Sequence, residues 1–324
     1  MSEPAVFRGR SLRLLTTLRA GGDAEYFAAA HSADDLARLV EWSVNRRTPF
    51  TVLGSGSNVL PSDAGVPGLV IHNRAKAVAI DIESGVMEAE TGAAFQDVFL
   101  AAAQAGLSGL EFAVGIPGTL GGALVSNAGA YRSNISSLLI ELDVATPDGR
   151  EWLSPSWMEF DYRTSILREP NPPPAVVCRV RMRLRHRPRH DIFEEAREFQ
   201  RQRIRKQPPP ASAGSFFKNV NDPVMAVQLA DLPEPLRLAG VVPAGFLIQK
   251  AGLAGVRHRG AAFSHRHANF LMNVGRAQAS AIRSLADHVK YSVKDHFGVL
   301  LEEEVLYLGN WSRYRPEPVK PNFD

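Results

Sequence analysis

The residues best suited to chemistry lie in a glycine-rich stretch, 109–131. There Gly115, Gly118, Gly121, Gly122 and Gly129 are interleaved with Ile116, Pro117, Thr119, Ser126, Asn127 and Ala128. Glycine reaches positive φ without a Cβ clash, and successive amides in such a turn form a concave donor site for phosphate oxygens. A second small-residue turn, Gly54-Ser55-Gly56-Ser57-Asn58, closes an apolar run. Both turns fit a pyrophosphate cradle, and both also fit plain tight turns between short strands. Neither is the dinucleotide fingerprint, which needs a glycine pattern opening a helix and an acidic residue about 20 positions on.

Other reactive residue types are sparse. Cys178 is the single cysteine, which excludes an internal disulfide and fits a reducing compartment. His258, His265 and His267 fall close together, but no further ligand is spaced to complete a metal site, so no metal is expected. Arg179, Arg181, Arg183 and Arg185 alternate with Cys178, Val180, Met182 and Leu184, the period of a strand with a solvated basic face. The net charge of +3 and a pI near 9.1 suggest anionic ligands. Nucleic acid is disfavoured, because the arginines combine with no aromatic stacking pattern or reading helix.

Several elements must position these residues. Ser32 reads as the N-cap of a helix with Asp34 and Asp35 in its first turn and Leu36, Leu39 and Val40 on one face. Residues 50–53 form a buried strand running into the Gly54–Asn58 turn, and Phe95, Val98, Phe99 and Ala102 have helical spacing ahead of Gly106. Pro147-Asp148-Gly149 makes a hairpin between 138–145 and 150–153. A basic helix runs over 192–206 and stops at Pro208–Pro210. Residues 246–251 are helical, and 269–274 form a strand. A helix over 279–297 is capped by Gly298, and 299–308 reads as a strand carrying Glu302, Glu303 and Glu304. The texture changes near 188–191. The expected domains are therefore 1–190, in two lobes of about 1–75 and 76–190, then 191–305, then a tail, 306–324, packing back on the first lobe. With 45% hydrophobic and 22% charged residues the chain is ordinary globular protein, and its apolar runs are too short to span a bilayer.

In this order along the chain, several motifs resemble the UDP-N-acetylenolpyruvoylglucosamine reductases. They are Leu53-Gly54-Ser55-Gly56-Ser57-Asn58, Gly115-Ile116-Pro117-Gly118-Thr119-Leu120-Gly121-Gly122, Asn127-Ala128-Gly129-Ala130-Tyr131 and Tyr162-Arg163-Thr164-Ser165. Further on come Lys206-Gln207-Pro208, Ser212-Ala213-Gly214-Ser215-Phe216-Phe217-Lys218-Asn219, His267-Ala268-Asn269-Phe270 and Leu301-Glu302-Glu303-Glu304-Val305. The short segment between Ser165 and Val176 resembles the family's compact subtype. The resemblance implies an α+β fold: a two-part FAD-binding region of the vanillyl-alcohol-oxidase type followed by an α+β substrate-binding domain.

It also implies an activity. NADPH reduces FAD, and the flavin delivers hydride to the enolpyruvyl β-carbon of a UDP-sugar, giving UDP-N-acetylmuramate for peptidoglycan. Both glycine-rich turns would hold a non-covalent FAD, since no histidine near Gly54 or Gly115 offers a tether. Arg163 matches the position that stabilises the developing negative charge, Ser215 the proton donor to the α-carbon, and Glu304 the carboxyl that supports the intermediate. Lys218 is a nearby cation that could make a hydroxyl competent as an acid. Lys206, Asn219 and Tyr131 match substrate-binding positions, with Lys206 facing the diphosphate. Without the motifs, Ser215 would read as a turn residue, and Arg163 and Glu304 as solvated surface. Two positions depart from the pattern: Glu303 stands where proline is common, and Lys250 where a polar amide is frequent. The expected protein is a cytoplasmic monomer with small-molecule partners and no membrane association. The competing readings are a flavin oxidase acting on another substrate and a flavin or UDP-sugar binder without turnover.

Overall fold

The computed structural model of the protein describes residues 4–206 and 211–320. The proline run at 208–210 lies outside the described residues. Among those described, no helix is long and apolar enough to cross a membrane. The chain forms two compact units, each built from separate stretches. The first comprises Met1–Arg10, Ala24–Gly56 and Pro67–Arg205, and the second Ser11–Asp23, Ser57–Val66 and Lys206–Asp324.

The first unit is organised on a five-stranded antiparallel sheet in the order Gly149–Leu153, Leu139–Thr146, Val176–Arg183, Val86–Glu90, Val78–Asp81. The hairpin expected at Pro147-Asp148-Gly149 joins its first two strands, with Gly149 at φ 145°. On one side the helix Ala33–Asn45 buries Leu36, Leu39 and Val40 in a cluster with Val176 and Cys178. Its start follows from the sequence: Ser32 Oγ accepts from the Asp35 amide at 3.0 Å. On the other side Phe95, Val98, Phe99 and Ala102 of the helix Phe95–Gln104 join Val180 and Met182. The basic helix begins at Arg189, earlier than its periodicity suggests, and its Ile192 and Ala196 belong to this same core. That packing carries the first unit to Arg205, past the change of texture near 190.

Of the arginine row expected to be solvated, Arg183 and Arg185 are exposed, but Arg179 and Arg181 are half-buried and paired. Arg179 donates to Glu88 and Asp143 at 2.8 and 2.7 Å, and Arg181 to Glu88 and Glu141 at 2.9 and 2.8 Å. Arg181 also lies 4.0 Å from the centre of the Trp152 ring. Cross-strand neighbours supply these carboxylates, and period alone cannot reveal neighbours.

The second unit holds the antiparallel sheet Ser212–Ser215, Phe270–Asn273, Ala261–Phe263, Arg257–His258. Against it packs the helix Ala279–Phe297, which buries Ile282, Leu285, Val289 and Val293 and ends at Gly298 with φ 73°. Gln278 gives this helix no side-chain cap. The Asp63 carboxylate accepts from the Ala279 and Ser280 amides instead, at 2.9 and 2.8 Å. One expectation fails: residues 299–305 are not a strand. Only Leu306–Leu308 is, and it pairs in parallel with Val59–Pro61. A run of three glutamates mimics no period, and the strand signal came from the flanking apolar residues. The tail then lies along the long helix, where the Arg283 guanidinium sits 4.5, 4.7 and 4.4 Å from the rings of Tyr307, Trp311 and Tyr314.

Candidate functional site

Residues 54–56 of the first glycine-rich turn meet the second turn within the first unit. A Cβ on Gly54 would stand 2.3 Å from Thr119 Oγ1, so only glycine allows the approach. Gly56 adopts φ 62°, while Ser55 stays outside the positive-φ region. In the second turn Gly115 and Gly118 take φ 70° and 125°. Several of its amides are bonded within the protein: Ile116 to Ala113 O at 3.0 Å, Leu120 to Ala93 O at 2.9 Å and Gly121 to Thr91 O at 2.7 Å. Gly122 donates to Thr119 Oγ1 at 3.3 Å, which caps the short helix Leu120–Val125. Pro117, exposed, has no amide hydrogen to give.

A cleft of about 280 Å³ opens where the turns meet, lined by Gly54, Ser55, Thr119, Arg74, Lys76 and Asp97 among others. Its donor set fits part of a dinucleotide. Arg74 and Lys76 can face phosphate oxygens, small residues permit close approach, and Asp97 can accept from ribose hydroxyls. His72 also lines it, and burial, with the charges of Arg74, His31 and Arg10, holds its imidazole below the usual value. The sequence reading missed Arg74, Lys76 and Asp97. The available signal was a pair of cations directly after the buried strand Val66–Asn73.

A second constellation of this unit gathers Asn127, Ala128, Gly129, Tyr131 and Arg163. Arg163, at φ 57°, donates through its two terminal nitrogens to Asn127 O at 3.4 Å and Gly129 O at 2.6 Å. Asn127 Nδ2 donates to Asp161 O at 3.1 Å, while its buried Oδ1 has no partner among the described residues. Ala128 donates its amide to Ala123 O at 2.7 Å. Tyr131 stacks flat on Phe199, ring centres 3.7 Å apart, and its hydroxyl donates to Phe199 O at 3.1 Å. Arg203, which no motif singled out, completes the group. Its guanidinium lies 5.8 Å from the centre of the Tyr131 ring, and its buried Nε has no partner among the described residues. A Cβ on Gly115 would sit 3.1 Å from Arg203 Cδ, so that glycine makes room for the arginine. Burial, followed by the charge of Arg163, lowers the Arg203 pKa, although Tyr131 works in the opposite direction.

The second unit brings Ser215 and Glu304 onto neighbouring segments. Ser215 ends its strand opposite Phe270. Glu304 donates its amide to Phe216 O at 2.8 Å, and Lys218 donates to Glu302 O at 2.8 Å, so 302–304 runs antiparallel to 216–218. Asn269, 2% exposed, clamps the same segment: Nδ2 donates to Phe217 O at 2.8 Å and Oδ1 accepts from the Phe217 amide at 3.0 Å. Asn58, expected to touch the cofactor, donates Nδ2 to Glu304 O at 3.0 Å, and its carbonyl accepts from Leu306 at 3.1 Å. Ser57 O accepts from Thr17 Oγ1 at 3.5 Å. Lys218 forms an ion pair with Glu302 at 2.5 Å, and Lys290 one with Glu303 at 2.8 Å. Asn219 Oδ1 accepts from the Ala244 amide at 3.3 Å. Lys250 pairs with Asp231 and lies over the Phe246 ring at 5.8 Å. Lys206 closes the basic helix, and its side chain lies outside the described residues.

Residues 24–153 match the family model of the FAD binding domain, and residues 204–308 that of the UDP-N-acetylenolpyruvoylglucosamine reductase C-terminal domain. The UDP-N-acetylenolpyruvoylglucosamine reductase of Synechococcus sp. (strain JA-3-3Ab) is 38% identical over 94% of this chain and 91% of its own length. That of Synechocystis sp. (strain ATCC 27184 / PCC 6803 / Kazusa) is 38% identical over 94% and 90%. The crystal structure of the Thermus caldophilus reductase, 32% identical, aligns with a TM-score of 0.74 over 94% of this chain and 99% of that one.

The chain belongs to the UDP-N-acetylenolpyruvoylglucosamine reductases. Membership in this family makes it an FAD-containing oxidoreductase of α+β architecture. The FAD-binding match spans both glycine-rich turns, and the C-terminal match spans Lys206, Ser215, Asn219 and Glu304. Arg163 and Arg203 lie between the two matched spans.

Proposed function

We propose that this reductase-family protein converts UDP-N-acetylenolpyruvoylglucosamine to UDP-N-acetylmuramate, with NADPH as reductant and FAD held without a covalent bond. The observation that carries the reading is the antiparallel fit of 302–304 beside 216–218, which sets the backbone of Glu304 next to that of Ser215's neighbour. Two segments far apart in sequence, one carrying a hydroxyl and the other a carboxyl, are thereby neighbours, which supports their sharing one reaction. The cleft at Gly54 and Thr119, with Arg74 and Lys76, would hold part of the cofactor. FAD when bound would pass a hydride from NADPH to the β-carbon of the enolpyruvyl double bond.

The chain's own residues have three tasks. Arg163, held by the carbonyls of Asn127 and Gly129, offers a permanent positive charge to the substrate carboxylate as negative charge builds up on it. Ser215 Oγ supplies the proton at the α-carbon, and Glu304 supports the enediolate-like state that precedes it. Lys206, Asn219 and Tyr131 bind the UDP-sugar, Lys206 at its diphosphate. Lys218 is engaged by Glu302, so any help it gives Ser215 comes with that carboxylate attached. The protein acts as a cytoplasmic monomer on small molecules, in cell-wall precursor synthesis.

Anaerobic reduction by NADPH followed by addition of the enolpyruvyl substrate tests this directly, with flavin absorbance as the signal. Wild-type flavin should bleach and then recover. Ser215→Ala should bleach normally and recover slowly; equal slowing of both phases would reject the proton-donor role.

A further inference from the structure

Residues 302–304 are three consecutive glutamates, yet the proposed chemistry needs one of them at a fixed place. A slip of one residue would bring Glu303 or Val305 to the position of Glu304 and turn each side chain to the opposite face. Backbone hydrogen bonds to 216–218 cannot tell the three apart. The side chains around them can. Lys218, on the facing segment, takes Glu302; Lys290, on the helix Ala279–Phe297, takes Glu303.

The two pairs are unequal. The Glu302 side chain is 70% exposed, whereas those of Lys290 and Glu303 are 18% and 16% exposed. Burying an ion pair costs desolvation of both charges, and its best-attested return is selection of one register over others rather than net stability. The helix carrying Lys290 is anchored in the same unit, with Ala286, Val289 and Val293 buried beside it and Asp63 capping its first turn. The ladder itself uses the amides of Lys218 and Glu304, so the backbone at 303 makes no demand that would select glutamate there. Asn58 then fixes the next carbonyl, that of Glu304.

We propose that the Lys290–Glu303 ion pair is the register key of this segment: it positions Glu304 for the reaction without touching substrate. The inference rests on the reading of Glu304 given above. Lys290→Met and Glu303→Gln should each slow substrate-dependent flavin reoxidation by about 10–100-fold, leaving reduction by NADPH and affinity for FAD unchanged. Lys290→Arg, which keeps the charge, should retain most of the rate. The deciding variant is the double change Lys290→Met with Glu303→Gln. It leaves no uncompensated buried charge, so its melting temperature should recover while reoxidation stays slow. Recovery of both together would show that the pair merely satisfies its own burial and would overturn the inference. Glu304→Gln, run in parallel, separates the two levels. If it is slow while the double variant is fast, only the register role fails; if it reoxidises normally, the role of Glu304 and its positioning fall together.

Discussion

Two groups of half-buried arginines in the first unit show how one residue type can serve opposite ends. On the strand Val176–Arg183, each of Arg179 and Arg181 meets two carboxylates across the sheet. Near the end of the basic helix, Arg203 faces a tyrosine ring and the Phe112 carbonyl at 3.5 Å, and its buried Nε has no partner among the described residues. In the first group the charge is cancelled locally, so it contributes to the fold and offers nothing to a ligand. In the second the buried donor is left unmet, which costs stability and suits an anion. Arg163 sits beside this second group, its charge felt by Arg203.

Substitutions should separate the groups. The largest effect is expected at Arg163. Changing it to Met should slow substrate-dependent reoxidation by about 10²–10³-fold, read by stopped-flow absorbance; a fall confined to NADPH reduction would place it in the wrong half-reaction. Arg179→Leu should act oppositely, lowering unfolding free energy by about 2 kcal/mol in urea titrations with both half-reactions intact. A loss of reoxidation there would erase the distinction. Arg203→Gln should weaken binding of UDP by about tenfold in calorimetry while leaving the urea midpoint equal or higher; a marked loss of stability would show that its charge is compensated after all.

The smaller effects concern the matched network. Burial works to raise the Asp143 carboxyl, but hydrogen bonds from Arg150 and Arg179 outweigh it and hold it below its ordinary value. A carboxyl depressed in the folded state stabilises above its unfolded pKa, and that contribution is lost as pH falls through the folded one. Stability should therefore drop below about pH 4, and Asp143→Asn should flatten that acid limb in urea midpoints compared at pH 5 and pH 3. Cys178, on the strand Val176–Arg183, is fully buried, and burial pushes its thiol up to about 12. Folded protein should show no alkylation by iodoacetamide at pH 8 by mass spectrometry.

What the sequence could show was local. Ser32 as a helix cap, Pro147-Asp148-Gly149 as a hairpin turn and the 279–297 helix with its glycine stop are all set by residues within a turn of one another. The family motifs extended this to the site residues proposed above. Their surroundings were not legible. Arg74 and Lys76 acquire meaning from Gly54 and Thr119, Arg203 from Gly115 and Tyr131, and Lys290 from Glu303, all through contacts between distant stretches. The mistaken strand at 299–305 has the same origin: its partner segment offers one isolated bridge, at Phe217 and Glu303, and no longer ladder.

The pairing of Val59–Pro61 with Leu306–Leu308 has a consequence for how the protein is made. Asn58 and Glu304, joined by a hydrogen bond, are 246 residues apart in the chain. Closing a loop of that size is slow, and the segment 57–66 leaves the ribosome long before the residues that complete its unit. For most of synthesis the one other stretch of its unit already made is 11–23, whose Gly22 amide donates to Ser62 O at 2.9 Å. A fragment beginning at Lys206 would lack both 11–23 and 57–66, so the second half of the chain matures only after nearly the whole protein has been translated.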